Sequence, residues 1–448
     1  MASTRDIIEA RRYNQKRLVT AFSSGISEGR EYESRTPTGP VITSVVLSLV
    51  LIIVGVIAGR FAPRLPDGWE SNTLIVVKGT GARYFTINGV LRPVTNITSA
   101  RLLSTSEMSE IEVPLARLDG IPRGSEVGLS DVPDDVPGPA RLNLLDWIAC
   151  PDPSGVTHTW IGDHPGGYAP ASLAVVSDEN QTYLVVDGVR HVLDNSEGIN
   201  LLNVVGLATA DAYPASGDWL NLLTEGTPIR PLHVPNEGDP AKGLPSNWGQ
   251  VVIGALVTLD NGQRYVVDSS STIAPLSDVA YALYEVGTGE IVSQNIPATL
   301  ADIGAVTVNK NGAGIPQDWP TTLPAPLPTN QAPCARIEVQ NAAVQPEVFL
   351  GTVPVSTFSA DPTQRAVHVT GGSGALISVS SGGTFGAYRL ITDTGLAYSL
   401  GTDPTGSFAP LGFTSSNVLS VPGPWASLVP SSEVELSPAN AWTTVKAS

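Results

Sequence analysis

The residues able to do chemistry in this 448-residue chain are few, and none falls into a catalytic pattern. A phosphate cradle of the G-x-x-x-x-G-K-[ST] type needs glycines that bare backbone N–H groups and a lysine at once behind the last of them. Gly238-Asp239-Pro240-Ala241-Lys242-Gly243 puts its lysine on the wrong side of the glycine, and Gly371-Gly372-Ser373-Gly374 has no lysine. Both runs read as turns. Beyond residue 60 no G-x-S-x-G elbow occurs, and the one match, Gly25-Ile26-Ser27-Glu28-Gly29, has no strand pattern before it, so a serine hydrolase of that type would lack its strained nucleophile. His158, Asp163 and His164 offer nitrogen and oxygen atoms to a metal, but their spacing closes no ligand pattern, and they read as a polar loop. The chain therefore reads as a non-enzyme with no cofactor and no metal.

What the sequence does position is a membrane anchor. Residues 41–59 form a charge-free stretch in which thirteen of nineteen residues are Val, Ile or Leu. As a helix at roughly 1.5 Å per residue it would be about 28 Å long, close to the ~30 Å hydrocarbon core. Each Val, Ile or Leu favours insertion by roughly 0.3–0.6 kcal/mol, which together outweigh Thr43, Ser44, Ser48, Gly55 and Gly59. A buried core helix would show a polar face, and a cleaved signal peptide would have a shorter leader and apolar core. A transmembrane helix over 41–60 is the better reading.

Charge divides at this span. Residues 1–40 carry seven basic and five acidic side chains, net +2, and residues from 61 onward carry 17 basic and 37 acidic, net −20. A body of that sign offers no broad basic face to nucleic acid. Arg30 and Arg35 on one side are matched by Arg60 and Arg64 on the other, so the cluster Arg11, Arg12, Lys16 and Arg17 tips the N-terminus towards the cytoplasm. The body would then be periplasmic. The first twenty-odd residues read as a helix, with Ser3 or Thr4 as its cap and no Gly or Pro before Gly25. Ile8, Leu18, Val19 and Phe22 form a partial apolar stripe beside Arg12, Lys16 and Arg17. So short a helix is marginal alone, and the interrupted stripe predicts docking on a partner rather than a solvated end.

The remaining residues are too many for one ordinary core and are rich in strand and turn formers. Leu74-Ile75-Val76-Val77 followed by Arg83-Tyr84-Phe85-Thr86-Ile87-Asn88-Gly89-Val90 recurs without a gap 99 positions on. There it reads Leu173-Ala174-Val175-Val176, then Thr182-Tyr183-Leu184-Val185-Val186-Asp187-Gly188-Val189. Asn-Gly and Asp-Gly between alternating apolar residues predict type I′ hairpins. Looser copies run from Val251 through Tyr265 to Asp268, and from Leu376 through Tyr388 to Gly395.

The order and spacing of further fragments resemble one family. These are Arg12-Tyr13, Lys16-Arg17-Leu18 and Ala21-Phe22 before the span, and Leu91-Arg92-Pro93-Val94-Thr95-Asn96 with Ser99-Ala100-Arg101-Leu102-Leu103 after it. Trp147-Ile148-Ala149-Cys150, Pro333-Cys334-Ala335-Arg336, Val421-Pro422-Gly423-Pro424 and Leu428-Val429-Pro430 complete the series. The chain resembles EccB, the single-pass core component of the actinobacterial type VII (ESX) secretion system. The resemblance implies a cytoplasmic N-terminus, a periplasmic body of repeat lobes about a central domain, and a multi-subunit membrane complex with EccC, EccD and EccE. It also implies self-association of the body. Family members have been called ATPases; no phosphate chemistry is legible here.

The two cysteines, Cys150 and Cys334, would be unrelated buried thiols in a cytosolic protein, but an even count in an exported body predicts a bridge. Such a bridge would tie two non-repeat segments into one central domain with the middle repeats looped out between. The fold class expected is a mainly β extracytoplasmic body of four repeat lobes around a central β-rich domain, after a short amphipathic helix and one transmembrane helix. The expected divisions are a cytoplasmic segment 1–40, the span 41–60, repeats 70–108, 169–208, 249–289 and 371–430, a central domain of 109–168 with 290–370, and a tail 431–448. A secretion-channel subunit fits all of these features. An anchored cell-envelope binder would leave the N-terminal helix without a task, and an anchored hydrolase would need a nucleophile or carboxylate pair.

Overall fold

The computed structural model describes residues 3–24, 38–60, 65–142, 144–179, 181–208, 210–339, 346–358, 366–381, 384–401 and 405–442. Arg30, Arg35 and Arg64, used above to weigh orientation, lie outside them, as do the last residues of the tail. The chain divides into two units, residues 1–67 and 68–448.

The first unit holds two helices. Thr4–Ser24 begins where the amide of Asp6 donates to the carbonyl of Ser3, and the Ser3 amide donates back to Asp6 Oδ2 at 3.1 Å. This is the backbone-to-acid half of a capping box. Thr38–Arg60 is the second helix. Its Thr43, Ser44 and Ser48 hydroxyls donate back to the carbonyls of Gly39, Val41 and Ser44 at 2.8–2.9 Å. Polar side chains that close on their own backbone leave no bare donor towards lipid. Among the described residues, Gly39–Val56 of this helix is the one stretch long and apolar enough to cross a membrane, and no protein covers it.

The second unit is mainly β. In the first copy, Thr73–Val77, Arg83–Ile87 and Val90–Pro93 form an antiparallel meander, and Ser109–Val113 adds parallel to the first strand. The second copy repeats the meander with Leu173–Asp178, Gln181–Val186 and Val189–Val192. Parallel strands Tyr213–Pro214 and Thr224–Glu225 flank it. Leu256–Leu259, Arg264–Val267 and Thr272–Leu276 do the same in the third, between Asn295–Ala298 and Thr307–Val308. The fourth uses Gly374–Ser381, Thr384–Thr392 and Ala397–Ser399, between Val418–Pro422 and Ser431–Glu435.

The first two hairpins close as their dipeptides require. Asn88 and Gly89 have φ of 50° and 74°, Asp187 and Gly188 of 47° and 81°, the doubly positive φ of a type I′ turn. The flanking strands are parallel and return only after a crossover, often with a helix such as Asp278–Glu285. They carry no hairpin signal of their own. For that reason the sheets extend to Val113, Glu225, Val308 and Glu435, past the expected limits at 108, 208, 289 and 430. Residues 295–308, expected in the central domain, belong to the third sheet, and Ala169–Pro170, expected in the second repeat, pairs into the central one.

The central sheet has six strands in the order Val367–Val369, Thr157–Ile161, Asp146–Pro151, Gln331–Glu338, Val348–Pro354, Ala169–Pro170. Side chains alternate across it. Trp147, Ala149, Ile161, Ala335 and Ile337 face one core, shared with Val176 and Trp219 near the second meander and Ile377 and Trp425 near the fourth. Trp219 fastens this side by donating its indole N–H to the Ala149 carbonyl at 2.9 Å. Ile148, Cys150, Trp160, Ala332, Cys334 and Val353 face the other way. Two further cores join meanders in pairs, the second with the third around Leu184 and Val266, and the first with the fourth around Phe85 and Leu390.

Candidate functional site

The second face of the central sheet carries both cysteines and, beside them, His158. Pairing of Asp146–Pro151 with Gln331–Glu338 sets Ala149 opposite Ala335, and the next positions are the two cysteines. Cys150 and Cys334 are bonded, with Cα atoms 4.2 Å apart across 184 residues of sequence, and neither is exposed. The second and third meanders lie between them in sequence. At the start of the same strand pair, Asp146 accepts from Arg336 Nε at 2.9 Å and from Nη2 at 2.5 Å, and lies 3.5 Å from His164. The hydrogen bond with Asp146 raises the Arg336 pKa further, although burial opposes it.

Cys150 is paired across strands with His158, which is buried. The hairpin joining these strands turns on Asp152, whose Oδ1 accepts from the amides of Ser154 and Val156 and from the Ser154 hydroxyl. Its Oδ2 is left for His158 Nε2, 3.4 Å away. Burial works to raise the Asp152 pKa, but these hydrogen bonds outweigh it and hold the carboxyl below the usual range. On the other side of His158 stands His368, from the edge strand, stacked on Trp160 with centroids 4.8 Å apart. Burial first, and then His158, lowers the His368 pKa. Phe358 tilts against both His158 and Trp160.

Of the residues read as a polar loop, Asp163 and His164 follow the strand, but His158 sits within it. Period-two alternation on Thr157–Ile161 turns His158 and Trp160 to the same face. The partners Asp152, His368 and Arg336 carry no local signal. His368 is 210 residues from His158 and arrives through a three-residue parallel pairing. Among the described residues, no group of three or more His, Cys, Asp or Glu is arranged to hold a metal. Gly238 and Gly372 have φ of 88° and 67°, the left-handed backbone of turns.

The stripe on the N-terminal helix is exposed throughout. Ile8, Leu18, Val19 and Phe22 are 58, 58, 69 and 87% exposed, and Arg12 and Lys16 are exposed beside them.

An uncovered apolar helix ahead of a body of several β-sheets defines a membrane-anchored β protein. The family model for "Type VII secretion system ESX-1, transport TM domain B" matches residues 1–447. The chain belongs to this family, EccB, and is a structural component of the type VII secretion membrane complex. A Mycobacterium tuberculosis H37Rv protein named ESX-3 secretion system ATPase EccB3 is 25% identical over 393 residues, 75% of this chain and 69% of that protein. A Mycolicibacterium smegmatis MKD8 protein named ESX-1 secretion system ATPase EccB1 is 31% identical over 215 residues, 44% of each. Among solved structures, a chain of an intact ESX-5 inner membrane complex superposes with a TM-score of 0.68 at 17% identity, covering 100% of this chain and 96% of that one. The EccB3 dimer from the ESX-3 core complex gives 0.65 at 20%, covering 83% and 99%. The two solved chains share the fold, and the two curated relatives carry "ATPase" in their names.

Proposed function

We propose that the chain acts as an inner-membrane scaffold of the secretion complex, without catalysis of its own, and that its body helps to form or stabilise the translocation channel. The observation that carries this reading is the join, in one chain, of an apolar helix that no protein covers to a β body fastened at its centre by a disulfide. Residues 1–40 lie in the cytoplasm and the body in the periplasm, where an oxidised cysteine pair persists. Four lobes, each a meander with its parallel flanks, stand about the central sheet, which holds the sequence-distant segments 146–170 and 331–369 together. The partners are EccC-, EccD- and EccE-type subunits and further copies of this chain; likeness to a solved EccB3 dimer supports the latter. Ile8, Leu18, Val19 and Phe22 are the buried anchors of the contact with inner-membrane partners, and Arg12 and Lys16 its charged rim.

Reporter fusions test the arrangement. A reporter active only in the periplasm should work at Ser448, and one active only in the cytoplasm at the N-terminus; silence of both would sink the orientation. Phe22→Ala with Ile8→Ala should release the chain from the complex at a cost of about 2–4 kcal/mol, with membrane insertion and the disulfide intact. Assembly of that variant at wild-type levels would place the decisive contacts elsewhere.

A further inference from the structure

His158 and His368 have no part in the anchor or the scaffold, yet they are joined end to end. His158 Nδ1 lies 3.5 Å from His368 Nε2, and His158 Nε2 lies 3.4 Å from Asp152 Oδ2. A carboxylate only accepts, so Nε2 of His158 carries a proton towards Asp152 and leaves Nδ1 as an acceptor. His368 then donates to it from Nε2. One added proton fits this row: an imidazolium on His158 donates to Asp152 on one side and to His368 Nε2 on the other, once His368 carries its own proton on Nδ1. A second does not fit. Both rings would then aim N–H at N–H, and two positive charges would share one carboxylate.

The other groups around the pair do not balance that second charge. Asp163, on the rim of the cavity, is exposed to water, and His164 beside it leans on Asp146, which Arg336 already occupies. Burial, and then Asp152, raises the Tyr213 pKa, so that phenol stays neutral. Cys150 and Cys334 are bonded, and Trp160 and Phe358 bring no charge. Against the effect of burial, hydrogen bonds hold the Asp152 carboxyl below its ordinary range, so it stays a single negative charge in mild acid.

We propose that His158 and His368 form an acid-sensitive latch on the central sheet, in which the second proton parts the rings and frees the edge strand Val367–Val369 from Thr157–Ile161. That strand is the weak point of the sheet. It has one neighbour, pairs with it over three residues, and runs on to Gly374–Ser381 of the fourth meander. Its release uncovers the edge of Thr157–Ile161 and slackens the join between the centre and the fourth meander, while the shared core around Ile377 and Trp425 holds. Burial first, and then His158, keeps the His368 pKa below 6.5. A base whose pKa is lowered on folding stabilises fully above its unfolded value, and that contribution is lost as pH falls below 6.5 towards the folded value. Each pH unit in that window favours the open edge by up to about tenfold per proton taken up. The signal is acidification of the compartment around the body, which rests on the periplasmic placement proposed above.

The test follows amide hydrogen exchange by mass spectrometry on the full chain in detergent, from pH 7.5 to about pH 5, with each rate referred to that of an unstructured chain at the same pH. Amides of 157–161 and 366–370 should lose protection by about tenfold or more, while those of Leu256–Leu259 in the third sheet keep theirs. His368→Gln still offers His158 Nδ1 an N–H but takes up no proton, so its edge should stay protected at pH 5. Should that variant fold poorly, His368→Phe keeps a ring on Trp160 and carries the same expectation. His233→Gln should leave the pH profile unchanged, since that exposed histidine lies between Glu197 and Glu237. Constant protection in the wild type, the same acid loss in the folded His368 variant, a changed profile in His233→Gln, or opening of the third sheet in step with the edge would each overturn the proposal. Because the purified chain is measured, a body found in the cytoplasm would remove the signal and leave the latch standing.

Discussion

Replacing both cysteines by alanine isolates what the bridge contributes. Cys150 and Cys334 close a 184-residue separation, for which loop entropy gives about 5 kcal/mol as an upper figure. Part of that is offset because the unfolded chain is not a random coil. Alanine also removes two sulfur atoms from the packed face beside Ile148 and Val353, which adds a cavity cost. The native ladder between Asp146–Pro151 and Gln331–Glu338 survives, held by its own hydrogen bonds and by Arg336 with Asp146. A net loss of about 3–5 kcal/mol follows, and a fall in melting temperature of roughly 4–6 °C for a body of this size. Hydrogen exchange followed by mass spectrometry should show where the loss falls. Amides of the two cysteine strands should gain exchange first, and those of Leu256–Leu259 in the third sheet last. A variant that melts within about 1 °C of wild type, or that opens the third sheet before the central one, would refute the claim that the bridge fastens the centre.

Two glycines at equivalent hairpin turns should respond differently to alanine. Gly89→Ala meets only the positive φ, costing about 1–2 kcal/mol, because no atom lies within 4 Å of the added Cβ. Gly188→Ala would also drive Cβ to 2.0 Å from the Val348 carbonyl on the central sheet, so its melting temperature should fall well below that of Gly89→Ala; equal effects would contradict the packing described. Tyr284 gives an alkaline signature. It is buried and donates its hydroxyl to Gly254 at 2.8 Å, and burial pushes its pKa from 10.0 up to about 12. A pKa raised on folding stabilises below the unfolded value and loses that contribution as pH rises from 10 to about 12. Thermal melts should show this loss in the wild type. Tyr284→Phe should flatten it, while costing about 1–3 kcal/mol at neutral pH for the orphaned carbonyl.

The span and the hairpins were legible because each is written in a contiguous run. Thirteen Val, Ile and Leu residues between 41 and 59 make a long apolar helix, and Asn88-Gly89 and Asp187-Gly188 name their own turn type. The cysteine pair was legible through compartment and parity rather than geometry. What the sequence hid is non-local. Parallel strands such as Asn295–Ala298 and Ser109–Val113 are short, and their partners are reached only through a crossover. The histidine pair depends on an edge strand of three residues meeting another across 210 positions. His158 reads as a loop residue in the sequence because a five-residue strand opening Thr-His-Thr is too short to show its alternation.

Whether this chain is held within a larger membrane complex is decided by extracting the tagged full-length protein from its own membranes in mild detergent. Mass spectrometry then identifies what stays bound. EccC-, EccD- and EccE-type subunits should be recovered in fixed ratio with more than one copy of this chain. Recovery of the chain alone, from membranes in which those subunits are present and intact, would contradict it.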